Sequence, residues 1–135
     1  MLGNDRCTSF VAVAPSNEVV GFAMAGPIRD GVADYDGELY GLYVRPAYQR
    51  RGIGTQLTAK IARSLVERGF GRTMVWVLAA NPARAFYAKL GGEPLGEKEL
   101  EIQGQPVLAV AYGWNTTALY RAIAGDAALI GSSAR

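Results

Sequence analysis

The stretch Gln49-Arg50-Arg51-Gly52-Ile53-Gly54-Thr55 carries the clearest chemistry in the chain. Two glycines remove Cβ atoms, so successive backbone N–H groups can close around an anion. A helix begins at the same place, and its N-terminal dipole favours negative charge. Arg50 and Arg51 add formal charge. Phosphate binding is the function this loop implies. Read alone, the segment serves equally as a glycine-rich helix start with solvated arginines. A dinucleotide loop calls for a third glycine at Leu57 and an acidic residue about twenty positions on, where Arg72 and Thr73 stand. A Walker A loop calls for Gly-Lys-Ser/Thr, a triplet the sequence lacks.

The elements that must position this loop follow from periodicity. Residues 38–44 form a strand, closed by Arg45-Pro46, because the residue before proline is driven out of the helical region. Ile53, Leu57, Ile61 and Leu65 recur every four residues, which predicts an amphipathic helix ended by Gly69. Residues 74–80 are a continuous apolar run, as in a strand covered on both faces. Asn81-Pro82 then caps and opens a second helix, which Gly91-Gly92 stops. Upstream, residues 9–14 and 19–25 form a hairpin around Pro15-Ser16-Asn17-Glu18, with Gly26-Pro27 ending the second strand. Downstream, residues 98–102 and 106–111 are strands around Gln103-Gly104-Gln105. The order is β-β-β-α-β-α-β-β, an α/β (α+β) mixed sheet with at least one parallel crossover in its middle. Residues 115–135 read as a small, polar C-terminal extension to a core over 1–114, with a short helix near Leu119 and Ile123.

Composition excludes several classes. The 135 residues fit one domain, and 50% hydrophobic with 19% charged residues can build a core. A net charge of +2 is far from the basic excess of a nucleic-acid binder. The single cysteine, Cys7, excludes an intrachain disulfide and fits a cytoplasmic location. Without histidine, no metal site is expected and the usual general base is missing. No apolar run approaches the ~20 residues of a membrane span.

The hexapeptide Gln49-Arg50-Arg51-Gly52-Ile53-Gly54 resembles the Gln/Arg-x-x-Gly-x-Gly/Ala loop of the GNAT superfamily of acetyl-CoA-dependent N-acetyltransferases. Asn81-Pro82-Ala83-Arg84-Ala85-Phe86-Tyr87-Ala88-Lys89-Leu90-Gly91 resembles that superfamily's Asn…Phe-Tyr-x-x-Leu-Gly segment. The two occur in the right order, with the right elements between them, and the resemblance runs from about residue 8 to residue 114. It implies central parallel strands, 38–44 and 74–80, that start paired and then splay. Acetyl-CoA would lie in the gap, its pantetheine along Leu42, Tyr43 and Val44 and touching Asn81. Its pyrophosphate would sit on the amides of the Gln49–Thr55 loop, through Arg50, Arg51, Gly52, Ile53 and Gly54. Tyr87 would be the general acid, placed at the cleft edge beside a core stripe of Phe86 and Leu90. A backbone N–H near Val44 would be the oxyanion donor. Glu38, on a face shared with Tyr40 and Leu42, is the candidate base, directly or through water; read alone it is an exposed carboxylate after a turn. Residues 74–80 lack the carboxylate some family members place there, and Asp34 and Asp36 could attract a cationic amine. The implied acceptor is a small-molecule or peptide amine. The family's N-terminal strand and two roofing helices have no counterpart here, which leaves three alternatives: the roof is absent, supplied by a partner copy, or replaced by residues 115–135; a homo-oligomer is expected. The competing function is a non-catalytic acyl-CoA-binding or regulatory module; a nucleotide-phosphate binder of another fold is a third.

Overall fold

The structure, a computed structural model, describes residues 7–29 and 32–130, with side chains as far as Gly125. The strands are β1 (Thr8–Val13), β2 (Val19–Pro27), β3 (Gly37–Val44), β4 (Arg72–Leu78), β5 (Glu93–Ile102) and β6 (Gln105–Asn115). The helices are α1 (Ile53–Glu67), α2 (Ala83–Lys89) and α3 (Thr116–Ile130), and a 3₁₀ turn spans Pro46–Tyr48. The sheet order is β1-β2-β3-β4-β6-β5, antiparallel except for β3 beside β4. The predicted element order therefore holds, with α1 as the crossover between the two parallel strands.

All three helices share one core on one face of the sheet. Leu57, Ile61 and Leu65 of α1, Tyr87 and Leu90 of α2, and Leu119 and Ile123 of α3 pack with Ala23, Ala25, Leu39, Val75, Val77, Val110, Tyr112 and Trp114. The four-residue spacing of α1 produces this directly, since i and i+4 lie on one helical face. Met74 and Val75 point to opposite faces and are both buried, which explains the unbroken apolar run of β4. Over β1 to β3 the described residues leave much of the other face uncovered: Val11, Phe22, Met24 and Tyr43 are exposed there.

Two differences from the sequence reading have physical reasons. The C-terminal segment is a full helix from Thr116, not a short one, and its Leu119 and Ile123 are integral to the core. It starts where the Thr116 hydroxyl hydrogen-bonds that of Thr73 at 2.8 Å, on the helical side, so it does not roof the opposite face. Strands β5 and β6 are also longer than alternation suggested. They pair from Glu93↔Gly113 to Ile102↔Gln105, and charged Glu93, Glu97 and Glu99 are tolerated because β5 is an edge strand.

The Asp36 carboxylate holds the start of β3 against the α1–β4 turn. It accepts hydrogen bonds from the backbone N–H of Gly71 at 3.1 Å and of Arg72 at 2.9 Å. It is thus committed to the backbone rather than to a cationic amine. Burial acts to raise its pKa, but the donors from Arg72, Gly71, Asp36 and Gly37 outweigh that and hold it below the usual carboxylate value. A lowered folded pKa stabilises the fold above the unfolded value near 3.8 and loses that contribution as pH falls through the folded value. Asp36→Asn should therefore lower the melting temperature at neutral pH. Thermal melts across the acid range should show the gap between the two proteins closing below about pH 4.

Candidate functional site

Strands β3 and β4 are paired only at Gly37↔Thr73, Glu38↔Met74 and Leu39↔Val75. Beyond these three pairs they part. β3 stays bonded to β2 as far as Val44↔Gly21, and β4 to β6 as far as Leu78↔Ala109, so each strand keeps one satisfied edge while its inner edge opens. The gap is a cleft of about 490 Å³. Leu42, Tyr43 and Val44 line it from β3, and Asn81, Pro82, Ala83 and Phe86 from the start of α2. Gln49, Arg50, Gly52, Gly54 and Thr55 close its far end, with Tyr48.

The loop at that end is built as an anion cradle. Gly52 caps α1 in the left-handed region, φ 82°, where a Cβ is disfavoured, and it offers no side-chain cap to the helix. The first intrahelical bond runs from Gln56 N–H to Gly52 O at 3.0 Å, so the amides of Ile53, Gly54 and Thr55 precede the ladder. Arg50 is also left-handed, φ 65°, which costs a residue with a Cβ roughly 1–2 kcal/mol. Two left-handed residues, Arg50 and Gly52, one position apart are compatible with a nest of backbone N–H groups, the kind of concavity that can hold an anion. Gln49 contributes differently from the expectation: its Nε2 donates to Val44 O at 2.9 Å, fastening the loop to the end of β3.

Several predicted residues sit elsewhere than expected. The side chains of Arg51 and Ile53 line a separate groove beside β1, with the Arg51 guanidinium 5.0 Å from the Tyr48 ring centroid; only their backbone belongs to the cradle. Asn81 lines the cleft, and its Oδ1 accepts from Ala83 N–H at 2.8 Å; Pro82 takes the capping position, so α2 starts at Ala83, one residue later than predicted.

Tyr87 is not at the cleft edge. It is 4% exposed and faces the sheet, its ring centroid 6.0 Å from that of Trp114, edge to face. Phe86 takes the cleft position instead. The inward stripe of this short helix runs through Ala83, Tyr87 and Leu90 because the floor beneath is the large pair Tyr112 and Trp114. Trp114 Nε1–H also donates to Leu90 O at 3.2 Å. Burial pushes the Tyr87 phenol up to about 12, so the hydroxyl stays protonated at neutral pH.

Glu38 is not an exposed carboxylate. It is 3% exposed, and its Oε1 accepts from Arg29 N–H at 2.9 Å while Oε2 accepts from Arg29 Nη2 at 3.2 Å. Nor does it share a face with Leu42. Met24 pairs with Gly41 and Ala25 with Leu39, which leaves Tyr40 as an extra residue and shifts the alternation. Leu39 and Leu42 therefore both meet the core, and Glu38 turns to the opposite face. Arg29 was not foreseen; its guanidinium lies 3.8 Å from the Tyr40 ring centroid, and the Tyr40 hydroxyl donates to Pro27 O at 2.5 Å. Nothing local in the sequence marks a partner nine positions away. Among the described residues there is no cluster of three or more potential metal ligands and no helix long and apolar enough to cross a membrane.

Residues 1–92 match the Acetyltransferase (GNAT) family. An uncharacterised N-acetyltransferase of Bacillus subtilis, YuaI, is 42% identical over 105 residues, which are 78% of this chain and 61% of that protein. The [ribosomal protein bS18]-alanine N-acetyltransferase of Haemophilus influenzae is 30% identical over 76 residues, 56% of this chain and 49% of that one. The chain thus spans 61% and 49% of the length of these two relatives. Among solved structures, the ribosomal-protein-alanine N-acetyltransferase of Brucella melitensis superposes with a TM-score of 0.71 at 25% identity, over 83% of this chain and 70% of its own. Nourseothricin acetyltransferase shares the fold, with a TM-score of 0.72 at 20% identity over 84% and 67% of the two chains.

A Cβ at Gly54 would meet only the Val44 Cγ2 methyl, at 3.7 Å. Gly54→Val should therefore fold normally while filling the cradle. Calorimetry is expected to show CoA binding weakened by about tenfold or more, since the side chain stands where the diphosphate approaches. Unchanged affinity in a folded variant would remove the anion role from this loop.

Proposed function

This chain belongs to the GNAT acetyltransferase family, and on that premise we propose that it transfers an acetyl group from acetyl-CoA to an amine by direct attack in a ternary complex. The observation that carries this reading is the cleft between parting strands that ends on an uncapped helix N-terminus. An extended pantetheine arm can pair with the inner edge of Leu42, Tyr43 and Val44, as a strand would. The diphosphate then meets the amides from Arg50 to Thr55, with the Arg50 side chain beside them.

Transfer forms a C–N bond and breaks the C–S bond through a tetrahedral intermediate, and each stage asks for a different group. The developing oxyanion takes a hydrogen bond from a backbone N–H near Val44. The amine proton leaves through water anchored on Glu38, whose two oxygens each keep a lone pair after Arg29 is bonded. The donor proposed for the departing thiolate is the Tyr87 hydroxyl, which would reach the sulfur past Phe86, since the ring packs between Phe86 at the cleft and Trp114. A phenol raised to about 12 is a weaker acid than an ordinary thiol near 8.5, so it serves as a hydrogen-bond donor to sulfur rather than surrendering its proton fully.

The acceptor is a small-molecule or peptide amine. Relatives' names span this range: a ribosomal-protein alanine in one, mycothiol in another, 45% identical over 56 residues. We place the reaction in the cytoplasm and the working form as a homo-oligomer. The buried, paired state of Glu38 is what favours the second reading, an acyl-CoA-binding module without turnover.

Labelled acetyl-CoA offered with a panel of amines separates the two: acetylated product supports the enzyme, and CoA binding without product supports the module. Once an acceptor is known, Tyr87→Phe keeps the packing against Trp114 and removes the donor. Turnover is expected to fall by about 10²–10³-fold, with CoA affinity unchanged. Equal turnover in the two proteins would return Tyr87 to a packing role.

A further inference from the structure

We propose that Gly41 is the port through which the acceptor amine reaches the thioester, and that Phe22 beside it selects an amine carrying an apolar group. This rests on the acetyl-transfer reading above and deepens it to a substrate class. Strands β3 and β4 share their last rung at Leu39↔Val75. Tyr40 is the extra residue of β3, so Gly41, paired with Met24, is the first in-register position beyond that rung. It stands where the two strands begin to part.

A glycine inside a strand weakens it, and it is kept there for a backbone angle, a close neighbour or an approaching ligand. The first two reasons are missing at Gly41. Its φ is not positive, so the adjacent bulge makes no demand for glycine. Among the described residues, a Cβ at this position would meet only the Phe22 Cε1 atom, at 3.7 Å, an ordinary van der Waals contact. Other strand glycines differ. A Cβ would come to 3.0 Å from Tyr43 O at Gly21, 3.1 Å from Thr73 Oγ1 at Gly37, and 2.6 Å from both Leu95 and Tyr35 at Gly113. Packing explains those three. The counterpart of Gly41 is Gly54, where a Cβ would also meet one atom at 3.7 Å, and Gly54 lines the cradle.

The direction of the missing side chain gives the port its use. Gly41 and Met24 are an antiparallel pair and share a face, and the neighbours of Met24, Ala23 and Ala25, lie in the helical core. Gly41 therefore opens to the opposite face. Glu38 turns to that face just before the fork, and Trp76, between the core residues Val75 and Val77, turns to it just after. A pantetheine arm running from the cradle along Val44, Tyr43 and Leu42 brings its thioester end toward Gly41. With CoA filling the plane of the gap, a nucleophile comes from above it, on the side where Glu38 anchors water. The port is bordered by carbon rather than charge. Phe22 is its nearest side chain, Met24 is its cross-strand mate, and the Tyr43 ring lies 6.0 Å from that of Phe22. Such a border favours an acceptor with an apolar group next to its amine.

The probes are CoA conjugates whose sulfur is joined through an acetamide linker to phenethylamine or to ethanolamine, so that one ligand fills cleft and port without turnover. Calorimetry on the full chain should show the phenethyl conjugate binding at least about tenfold tighter than CoA, and the hydroxyethyl conjugate binding no tighter than CoA. Gly41→Val should remove the phenethyl gain and leave CoA affinity unchanged. Gly41→Ala should melt no lower than the parent chain, because the site has room and alanine has fewer unfolded conformations to lose. It should nonetheless bind the phenethyl conjugate more weakly. Phe22→Ala should narrow the preference for phenethyl over hydroxyethyl. A chain that binds no CoA overturns the acetyl-transfer reading and takes the port with it. CoA binding without a phenethyl gain, or a gain unaltered by either substitution at Gly41, overturns the port and leaves that reading standing. A destabilised Gly41→Ala would mean that the fold itself requires the glycine, and overturns the port as well.

Discussion

The parting of two parallel strands is the constraint on which the rest of this molecule depends. A parallel pair needs both of its strands held from behind if it is to open without unravelling. β2 holds β3 to Val44 and β6 holds β4 to Leu78, so only the inner hydrogen bonds are given up. Those free amides and carbonyls would cost about 1–3 kcal/mol each if buried unpaired, which is why the gap must be open to solvent or filled by an extended ligand. The Glu38–Arg29 pair stands at the fork, where the last parallel rungs end, and the extra residue Tyr40 turns β3 immediately beyond it.

The cradle at the other end of the cleft follows from the same arrangement. β3 continues past the fork and delivers the chain, through the Pro46–Tyr48 turn, to the start of α1. The Gln49 side chain fixes that hand-over by bonding Val44 O. Arg50 held at positive φ without being glycine is a local strain of the kind that survives where the surrounding structure over-determines it and where ligands bind. Arg51, next in sequence, points the other way, toward the β1 side. Two adjacent arginines therefore divide their charge between the two flanks of one loop.

Much of this was legible in the residues. The four-residue spacing of Ile53, Leu57, Ile61 and Leu65 marked α1, and the glycines marked the loop, because backbone requirements leave a signature at the position itself. The nine cleft-lining residues expected from the sequence, from Leu42 to Asn81, are brought together by that framework. What could not be read depends on tertiary packing. Whether Phe86 or Tyr87 faces the cleft is decided by the Tyr112–Trp114 floor, two strands away in sequence. Glu38 looked exposed because its neighbours form a turn, and only the path of the chain after Pro27 supplies Arg29. One extra residue at Tyr40 shifted the face alternation of β3, and no propensity announces a bulge in advance. The extent of α3 was hidden because a run of alanines and threonines has little apolar contrast, although Leu119 and Ile123 alone suffice to anchor it.

The Asp36 clasp also bears on how quickly such a fold can assemble. It joins residues 35 positions apart, closing the β3–α1–β4 crossover at its base. Closing a loop of that length costs roughly 3 kcal/mol of chain entropy before any contact is gained. The β1–β2–β3 meander needs only short loops, so it can form early, whereas the parallel rungs must wait for the crossover to close. Once closed, one loop serves the clasp, the three parallel rungs and the packing of α1 together, so their gains accrue against a single entropic cost. The rate-limiting event in folding is then expected to be the docking of β4 beside β3, and the cleft comes into being at that moment rather than being carved into a sheet already complete.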